Sequence, residues 1–176
     1  KTQLTSFTYD SLGRLERDTD AVDGFKQVDR TVQADGHTTS ITTAMGRVST
    51  YQTETLADGA TRRTGVGANG TESVSTVRLD GSSEGLSADG TIVTTKEVPD
   101  PRFGMKAPLL SSATVRTPGG LVSTTTASRT VTFIDPEGDL MDPENVASIL
   151  DNVTVNNRSI SSLWDGPTRT LTTTSP

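Results

Sequence analysis

The chain has 176 residues, a formal net charge of -6, 31% hydrophobic and 4% aromatic residues. The negative charge argues against nucleic acid or an anionic membrane as a partner, and no apolar run approaches the ~20 residues of a membrane-spanning helix. Cysteine is absent, which excludes disulfides and thiolate metal sites.

Threonine and serine replace much of the usual apolar content, with 32 Thr and 18 Ser. Because β-branched Thr suits a pleated strand, such a chain can be ordered. It cannot build a thick hydrophobic core, so we expect thin layers or a wide, wet interior. Disorder is the alternative that low hydrophobicity suggests. Single Val, Ile and Leu residues at strand-like positions and the regular turn signals argue against it.

Turn-forming residues punctuate the first half of the chain. Glycines at the turn positions recur every 9 to 13 residues, and Asp-Gly or Asn-Gly is typical of two-residue hairpin loops, in which both central residues have positive φ. The spacing predicts a mainly β fold, an antiparallel meander of β-hairpin repeats, elongated or shell-like, over residues 1–97. The glycines are Gly13, Gly24, Gly36, Gly46, Gly59, Gly70, Gly81 and Gly90.

The meander signal weakens over residues 98–120, where Pro99, Pro101 and Pro108 occur close together. Proline lacks the N–H that a strand ladder needs, so it is confined to edges and bulges. We therefore predict an irregular connection here, followed by a degenerate β-repeat over residues 121–176.

One short helix is predicted near the C-terminal end, over residues 143–150. Asp142 can cap it and Pro143 occupies its first position. Val146, Ile149 and Leu150 recur at helical spacing and would form one apolar face.

A β-hairpin is predicted over residues 152–165. Val153 and Val155 alternate up to the pair Asn156-Asn157, and Ile160 and Trp164 alternate away from it. Trp164 is the only tryptophan, and we interpret it as a packing anchor, with a ligand platform as the alternative.

The segment Tyr9-Asp10-Ser11-Leu12-Gly13-Arg14-Leu15 resembles the motif of the RHS-repeat, or YD-repeat, family. In such a motif the Asp accepts hydrogen bonds from turn amides and the Gly supplies left-handed backbone. The Arg stacks or pairs across the sheet, while Tyr and Leu pack on neighbouring hairpins. Degenerate copies retain Gly46, Arg47, Asp135 and Gly138.

The resemblance implies a ribbon of β-hairpins that coils into a hollow shell, as in bacterial surface proteins, toxin scaffolds and teneurin barrels. By this resemblance the chain is a non-enzymatic structural segment of a larger secreted or cell-surface bacterial protein that encloses or displays a C-terminal effector. Its partners would be the flanking repeats and the effector, since both ends of the chain look cut from a longer repeat. A carbohydrate- or cell-surface-binding adhesion module is the alternative.

The residues that could carry chemistry favour structural interpretations. Five acids between positions 135 and 144 could form a cation site or carry out self-cleavage, but solvated turns and helix N-terminal acids are the favoured explanation. His37 follows a predicted turn and is expected to be exposed at the start of a strand. We predict no catalytic residue, no cofactor and no metal. The acids are Asp135, Glu137, Asp139, Asp142 and Glu144.

Overall fold

The computed structural model describes residues 4–176 and consists almost entirely of β-strands. Fourteen strands form one sheet, in which each strand neighbours the strands before and after it in the chain. The paired strands are antiparallel. The predicted antiparallel meander is therefore confirmed.

The strands differ in length, from short ones at the start to long ones in the second half. The first seven are β1 Ser6–Tyr9, β2 Leu15–Thr19, β3 Phe25–Val32, β4 Gly36–Thr43, β5 Val48–Thr55, β6 Thr61–Val66 and β7 Glu72–Val77. The next seven are β8 Ser82–Leu86, β9 Ile92–Asp100, β10 Gly104–Arg116, β11 Val122–Phe133, β12 Val146–Val155, β13 Arg158–Asp165 and β14 Thr170–Thr174.

The chain divides into two compact units. One contains the described residues up to Leu79 together with Gly85–Asp89, and the other contains Asp80–Glu84 and Gly90–Pro176. Across the described part of the chain only Ala60, Val146 and Asp100 are buried. The small core expected from the composition is therefore present.

The second unit has two chemically different sheet faces. Along β11 every second residue is exposed, and these residues are mainly Thr and Ser, while the residues between them are half-buried. The half-buried Val131 lies in one cross-strand row with Ile149, Trp164 and Leu171. We call the side of the sheet that carries this row the apolar face. Trp164 thus packs among apolar neighbours in the sheet.

The turns differ from the predicted two-residue loops. At Leu56–Ala60 the N–H of Leu56 donates to the carbonyl of Ala60 at 2.8 Å, and the N–H of Gly59 donates to the carbonyl of Leu56 at 2.9 Å. Gly59 has φ of +83°, whereas Asp58 before it has no positive φ. This is a three-residue loop, a type I turn closed by a glycine bulge.

Two predicted Asp-Gly turns use their residues differently. At Asp23-Gly24 the left-handed position is taken by Asp23, with φ of +64°, and not by the glycine. At Asp35-Gly36 neither residue has positive φ, and Gly36 is the first residue of β4. Gly36 is needed for another reason: a Cβ there would lie 1.9 Å from the carbonyl oxygen of Thr53 on β5.

The irregular connection predicted over residues 98–120 is wrong for most of its length. β9 continues to Asp100 and β10 begins at Gly104. The prolines are tolerated because of where they fall in the pairing: Pro99 lies between the paired residues Val98 and Asp100, and Pro108 lies in a register shift. At these positions a proline does not have to donate a backbone hydrogen bond to the neighbouring strand.

The predicted short helix is confirmed as a single 3-10 turn, Pro143–Asn145, but it does not extend to residue 150. Residues 146–150 instead begin β12, which pairs with β11 on one side and β13 on the other. Pairing with two neighbouring strands stabilises residues 146–150 more than two turns of helix would. No helix among residues 4–176 is long and apolar enough to cross a membrane.

The hairpin predicted over residues 152–165 is confirmed. Val155 pairs with Arg158, and the two residues between them, Asn156 and Asn157, have φ of +46° and +67°. Asn156 and Asn157 therefore form a two-residue hairpin loop with left-handed backbone, a conformation that asparagine adopts more readily than most residues with side chains.

Candidate functional site

The motif that resembles the YD repeat forms a self-contained turn. The Oδ1 atom of Asp10 accepts hydrogen bonds from the N–H groups of Leu12 and Arg14, both at 2.9 Å. Gly13 has φ of +76°. The guanidinium of Arg14 donates through Nε to Oδ2 of Asp10 at 2.7 Å. The sequence had suggested that Arg14 stacks or pairs across the sheet. Arg14 instead pairs with Asp10 inside its own turn.

Tyr9 and Leu15 flank this turn and are paired with each other across the first hairpin, next to a bulge. They were expected to pack on neighbouring hairpins. Instead they are 58% and 40% exposed.

The degenerate copy at Gly46-Arg47 keeps the same backbone. Gly46 has φ of +72°, and its N–H donates to the carbonyl of Thr43 at 2.8 Å. The hydroxyl of Thr43 accepts from the N–H of Arg47 at 3.3 Å. A hydroxyl thus does here what the Asp10 carboxylate does in the first turn.

The copy at Asp135 and Gly138 has a different structure. Gly138 has no positive φ, and the side chain of Asn145 organises the loop. Asn145 accepts from the N–H of Asp135 at 2.8 Å and donates to the carbonyls of Asp135 and Asp139 at 2.8 and 3.1 Å. The resemblance at this position is one of sequence alone.

The acids of residues 135–144 cap backbone groups of their own turns. Asp139 accepts from the N–H of Met141 at 2.8 Å, and Asp142 accepts from the N–H of Glu144 at 2.9 Å. Within residues 4–176 no three His or acidic side chains are grouped so that they could hold a metal ion. His37 is the second residue of β4 and is half-buried, not exposed.

Turns of two sequence types share one principle that the sequence did not reveal. In the first type the acid stands three residues before the glycine, as in Asp10. In the second type an Asp or Asn directly precedes the glycine, and the side chains of Asp58 and Asn69 accept from the N–H groups of Ala60 and Thr71 at 3.0 and 3.1 Å. In both types a side-chain oxygen accepts a hydrogen bond from the N–H of the residue that directly follows the glycine.

The strongest electrostatic feature is an ion-pair cluster that we call the Arg129 clamp. Arg129 binds Asp151 through two hydrogen bonds, at 2.7 and 2.8 Å, and reaches Asp100 at 3.2 Å. Asp100, only 4% exposed, also accepts from the N–H groups of Arg102 and Phe103 at 2.7 and 3.0 Å. The clamp connects Asp100, the last residue of β9, with Arg129 inside β11 and Asp151 inside β12.

The protonation of the clamp follows from these contacts. Burial acts to raise the pKa of Asp100, but the two backbone N–H groups and Arg129 outweigh it, so that the pKa lies below its ordinary value. The carboxylate of Asp151, through its hydrogen bonds, raises the pKa of Arg129 despite partial burial. Both shifts favour the charged forms of Asp100 and Arg129, which suits a structural role better than proton transfer.

Sequence reasoning missed the clamp because its members are far apart in the chain. Arg129 and Asp151 are 22 positions apart, and only the β11–β12 register places them opposite each other. One signal was available. Residues 122–133 alternate between an exposed and a half-buried face of β11, and Arg129 is the charged residue on the half-buried face.

We expect stability to depend on pH through Asp100. Because its folded-state pKa lies below the ordinary value of 3.8, its contribution is complete above that pH and is lost as the pH falls through the folded pKa. The free energy of unfolding should therefore exceed that of Asp100→Asn by a constant amount above pH ~4, and the gap should shrink below it. Urea titrations at a series of pH values measure this; a gap that widens on acidification would contradict it.

A cleft of about 290 Å³ lies beside Trp164 in the second unit. Pro143, Pro167 and Val146 line it, and the ion pair of Glu144 and Arg169, at 3.2 Å, stands at its side. Its lining contains no Ser, Thr, Cys or His, so it offers no hydroxyl or thiol nucleophile and no imidazole base.

Comparison with known proteins adds no relative. Neither the models of known protein families nor the curated protein sequences match this chain. The resemblance to the RHS or YD repeat therefore depends on Tyr9–Leu15 and on the turns described above.

Proposed function

We propose that the chain is a non-enzymatic structural segment of a larger secreted or cell-surface protein of the RHS or YD-repeat type. In this role it forms part of a β-sheet wall that encloses or displays a C-terminal effector. The observation that carries the proposal is the strictly sequential order of its fourteen antiparallel strands.

Sequential order matters because each strand finds its partner directly along the chain. A wall of this kind grows by adding hairpins, and no strand has to be inserted between two that are already paired. The turns support the same role, since side chains from Asp10, Thr43, Asp58 and Asn69 are used to cap turns.

The shifted carboxylates also support a structural role. Besides Asp100, the pKa values of Asp10 and Asp165 are lowered, the first chiefly by hydrogen bonds from Arg14 and the second by hydrogen bonds from Thr168. Each of these groups is committed to a turn or to the clamp. A general acid or base would need a raised or near-neutral pKa beside a cavity.

Adhesion remains the second candidate because of two aromatic residues on β1. Phe7 and Tyr9 lie two positions apart, hence on the same side of the strand, and are 53% and 58% exposed. Exposed aromatic rings on one face are a feature of surfaces that bind sugars or proteins.

The wall proposal is tested in the full-length parent protein by limited proteolysis of its C-terminal region. Deleting β4 and β5 together leaves every later strand with its original direction relative to β1–β3. Deleting β5 alone reverses the direction of every later strand relative to the strands before the deletion. We expect the two-strand deletion to retain protease protection of that region and the one-strand deletion to lose it.

Protection that is the same in both deletions would contradict the proposal, as would a C-terminal region that is fully cleaved in the intact protein. Circular dichroism of each variant shows whether β structure persists. A glycan array probed with the folded chain addresses the adhesion candidate separately.

A further inference from the structure

A gap opens between β2 and β3, in the interior of the strand order. The ladder between these two strands ends at the pair of Arg17 and Gln27, although β3 continues to Val32. From Asp29 onward every residue of β3 is exposed, on both faces of the strand. Among the described strands, the second half of β3 is therefore paired with β4 on one side and with none on the other.

A cleft of about 560 Å³ occupies this gap. Its lining includes Arg14 and Glu16 from the first hairpin and Val28, Asp29 and Arg30 from β3. Successive residues of a strand point to opposite faces, so Asp29 and Arg30 line the cleft from the two sides of the sheet. The cleft therefore passes between the strands, and its volume is in the range of pockets that bind small ligands.

The backbone of Arg30 points into this cleft. On the β4 side, the carbonyl of Phe25 accepts from the N–H of Ala44 at 3.0 Å. On the β2 side, the carbonyl of Gly24 accepts from the N–H of Asp20 at 2.8 Å. Backbone groups alternate between the two sides of an antiparallel strand, so the even-numbered residues of β3 direct their N–H and C=O groups toward β2. At Arg30 the ladder with β2 has already ended, so one donor and one acceptor face the cleft.

The sequence explains why β2 does not close the gap itself. If the register of β2 and β3 continued, Arg14 would lie opposite Arg30, and Leu15 would lie opposite Asp29. Like charges directly opposite each other destabilise a ladder, and an apolar side chain offers a carboxylate no partner. Arg14 is instead held inside its own turn by Asp10, at 2.7 Å. A different strand, with suitable charges, would fit this position better than β2 does.

The charges that such a strand needs can be derived from β3. Asp29 and Arg30 are both exposed, and within residues 4–176 neither side chain forms a hydrogen bond or an ion pair. A residue opposite Arg30 pairs with it if it is acidic, and a residue opposite Asp29 pairs with it if it is basic. Opposite charges across a ladder stabilise the pairing.

We propose that the cleft binds a short extended peptide, which adds to β3 as an antiparallel strand with an acidic residue opposite Arg30 and, directly after it, a basic residue opposite Asp29. The acidic residue exchanges two backbone hydrogen bonds with Arg30. In this mode of recognition the backbone bonds provide affinity, and the alternating side chains provide specificity.

The inference rests on the gap between two consecutive strands and not on the proposed wall function. Only a few residues of the peptide contact β3, so we expect a dissociation constant on the order of 1 mM. Failure of the peptide to bind would leave the wall proposal untouched. Failure of the proteolysis experiment would likewise leave this inference untouched.

A titration of the isotope-labelled chain, followed by nuclear magnetic resonance, tests the site. The peptide is acetyl-Thr-Glu-Lys-Val-amide, in which Glu takes the place opposite Arg30 and Lys the place opposite Asp29. We expect the amide signals that shift to belong to β2, β3 and β4. Arg30→Gln should raise the dissociation constant at least fivefold. Arg63→Gln is the matched control, because Arg63 is also an exposed strand arginine without a side-chain partner among the described residues, and it should leave the constant unchanged.

Two N-methylated forms of the peptide test the backbone bonds on the unmodified chain. In the proposed register the amide N–H of Glu points toward β3, and that of Lys points away from it. We expect methylation of the Glu nitrogen to weaken binding at least tenfold and methylation of the Lys nitrogen to weaken it less than threefold.

Circular dichroism checks that both arginine variants fold. Equal effects of the two methyl groups, equal effects of the two arginine substitutions, or shifts spread over the other strands would each overturn the inference. So would the absence of any shift at a peptide concentration of about 10 mM.

Discussion

Replacing Arg129 with methionine is expected to lower the free energy of unfolding by about 2–3 kcal/mol. The change leaves Asp100, with a side chain only 2% exposed, without its guanidinium. Removing one partner of a fully buried ion pair costs roughly 3–5 kcal/mol. We expect less here because the side chains of Arg129 and Asp151 are 32% and 36% exposed. Urea denaturation followed by circular dichroism measures the change.

Arg169→Met is the matched control for this experiment. Arg169 also forms an ion pair in the second unit, with Glu144, but their side chains are 76% and 78% exposed. Exposed pairs contribute about 0–1 kcal/mol, so this variant should unfold at nearly the same urea concentration as the unmodified chain. Equal effects of the two substitutions would show that the clamp does not stabilise the sheet.

Replacing Gly36 with alanine is expected to cost about 2–3 kcal/mol, a value at the upper end for overpacking. The new Cβ would lie 1.9 Å from the carbonyl oxygen of Thr53 and 2.8 Å from the Cα of Glu54. Both are backbone atoms of β5, so no side-chain rotation can relieve the contact. β4 and β5 must separate where Gly36 pairs with Glu54.

Gly65→Ala provides the comparison, because Gly65 also lies inside a strand and has no positive φ. The nearest atom to its added Cβ is the Ser73 hydroxyl at 3.4 Å, an ordinary contact. Alanine there should be neutral or should stabilise by up to about 1 kcal/mol, since it restricts the unfolded chain. Thermal denaturation of both variants measures the difference, and similar midpoints would contradict the steric argument.

The features that local chemistry controls could be predicted from the sequence. Asn156-Asn157 between alternating apolar residues gave the correct hairpin, because a two-residue loop depends on the residues within it. The glycine spacing gave the meander for the same reason. The distinction between two- and three-residue loops was missed, since Asp58-Gly59 fits either loop until the strand register is known.

Features that depend on pairing between distant residues could not be predicted. The apolar spacing of Val146, Ile149 and Leu150 fits a helix, and only the ladders on both sides of β12 make it a strand. Pro108 seemed to exclude a strand because its harmless place in a register shift was unknown. The Arg129 clamp depends on the register of β11 and β12, which places Arg129 opposite Asp151.

The strand order also bears on how the chain folds. When each strand pairs with its neighbours in sequence, the contacting residues are close along the chain, and little loop entropy is lost in forming each new ladder. Such a sheet can form by zippering from any hairpin, which favours rapid folding.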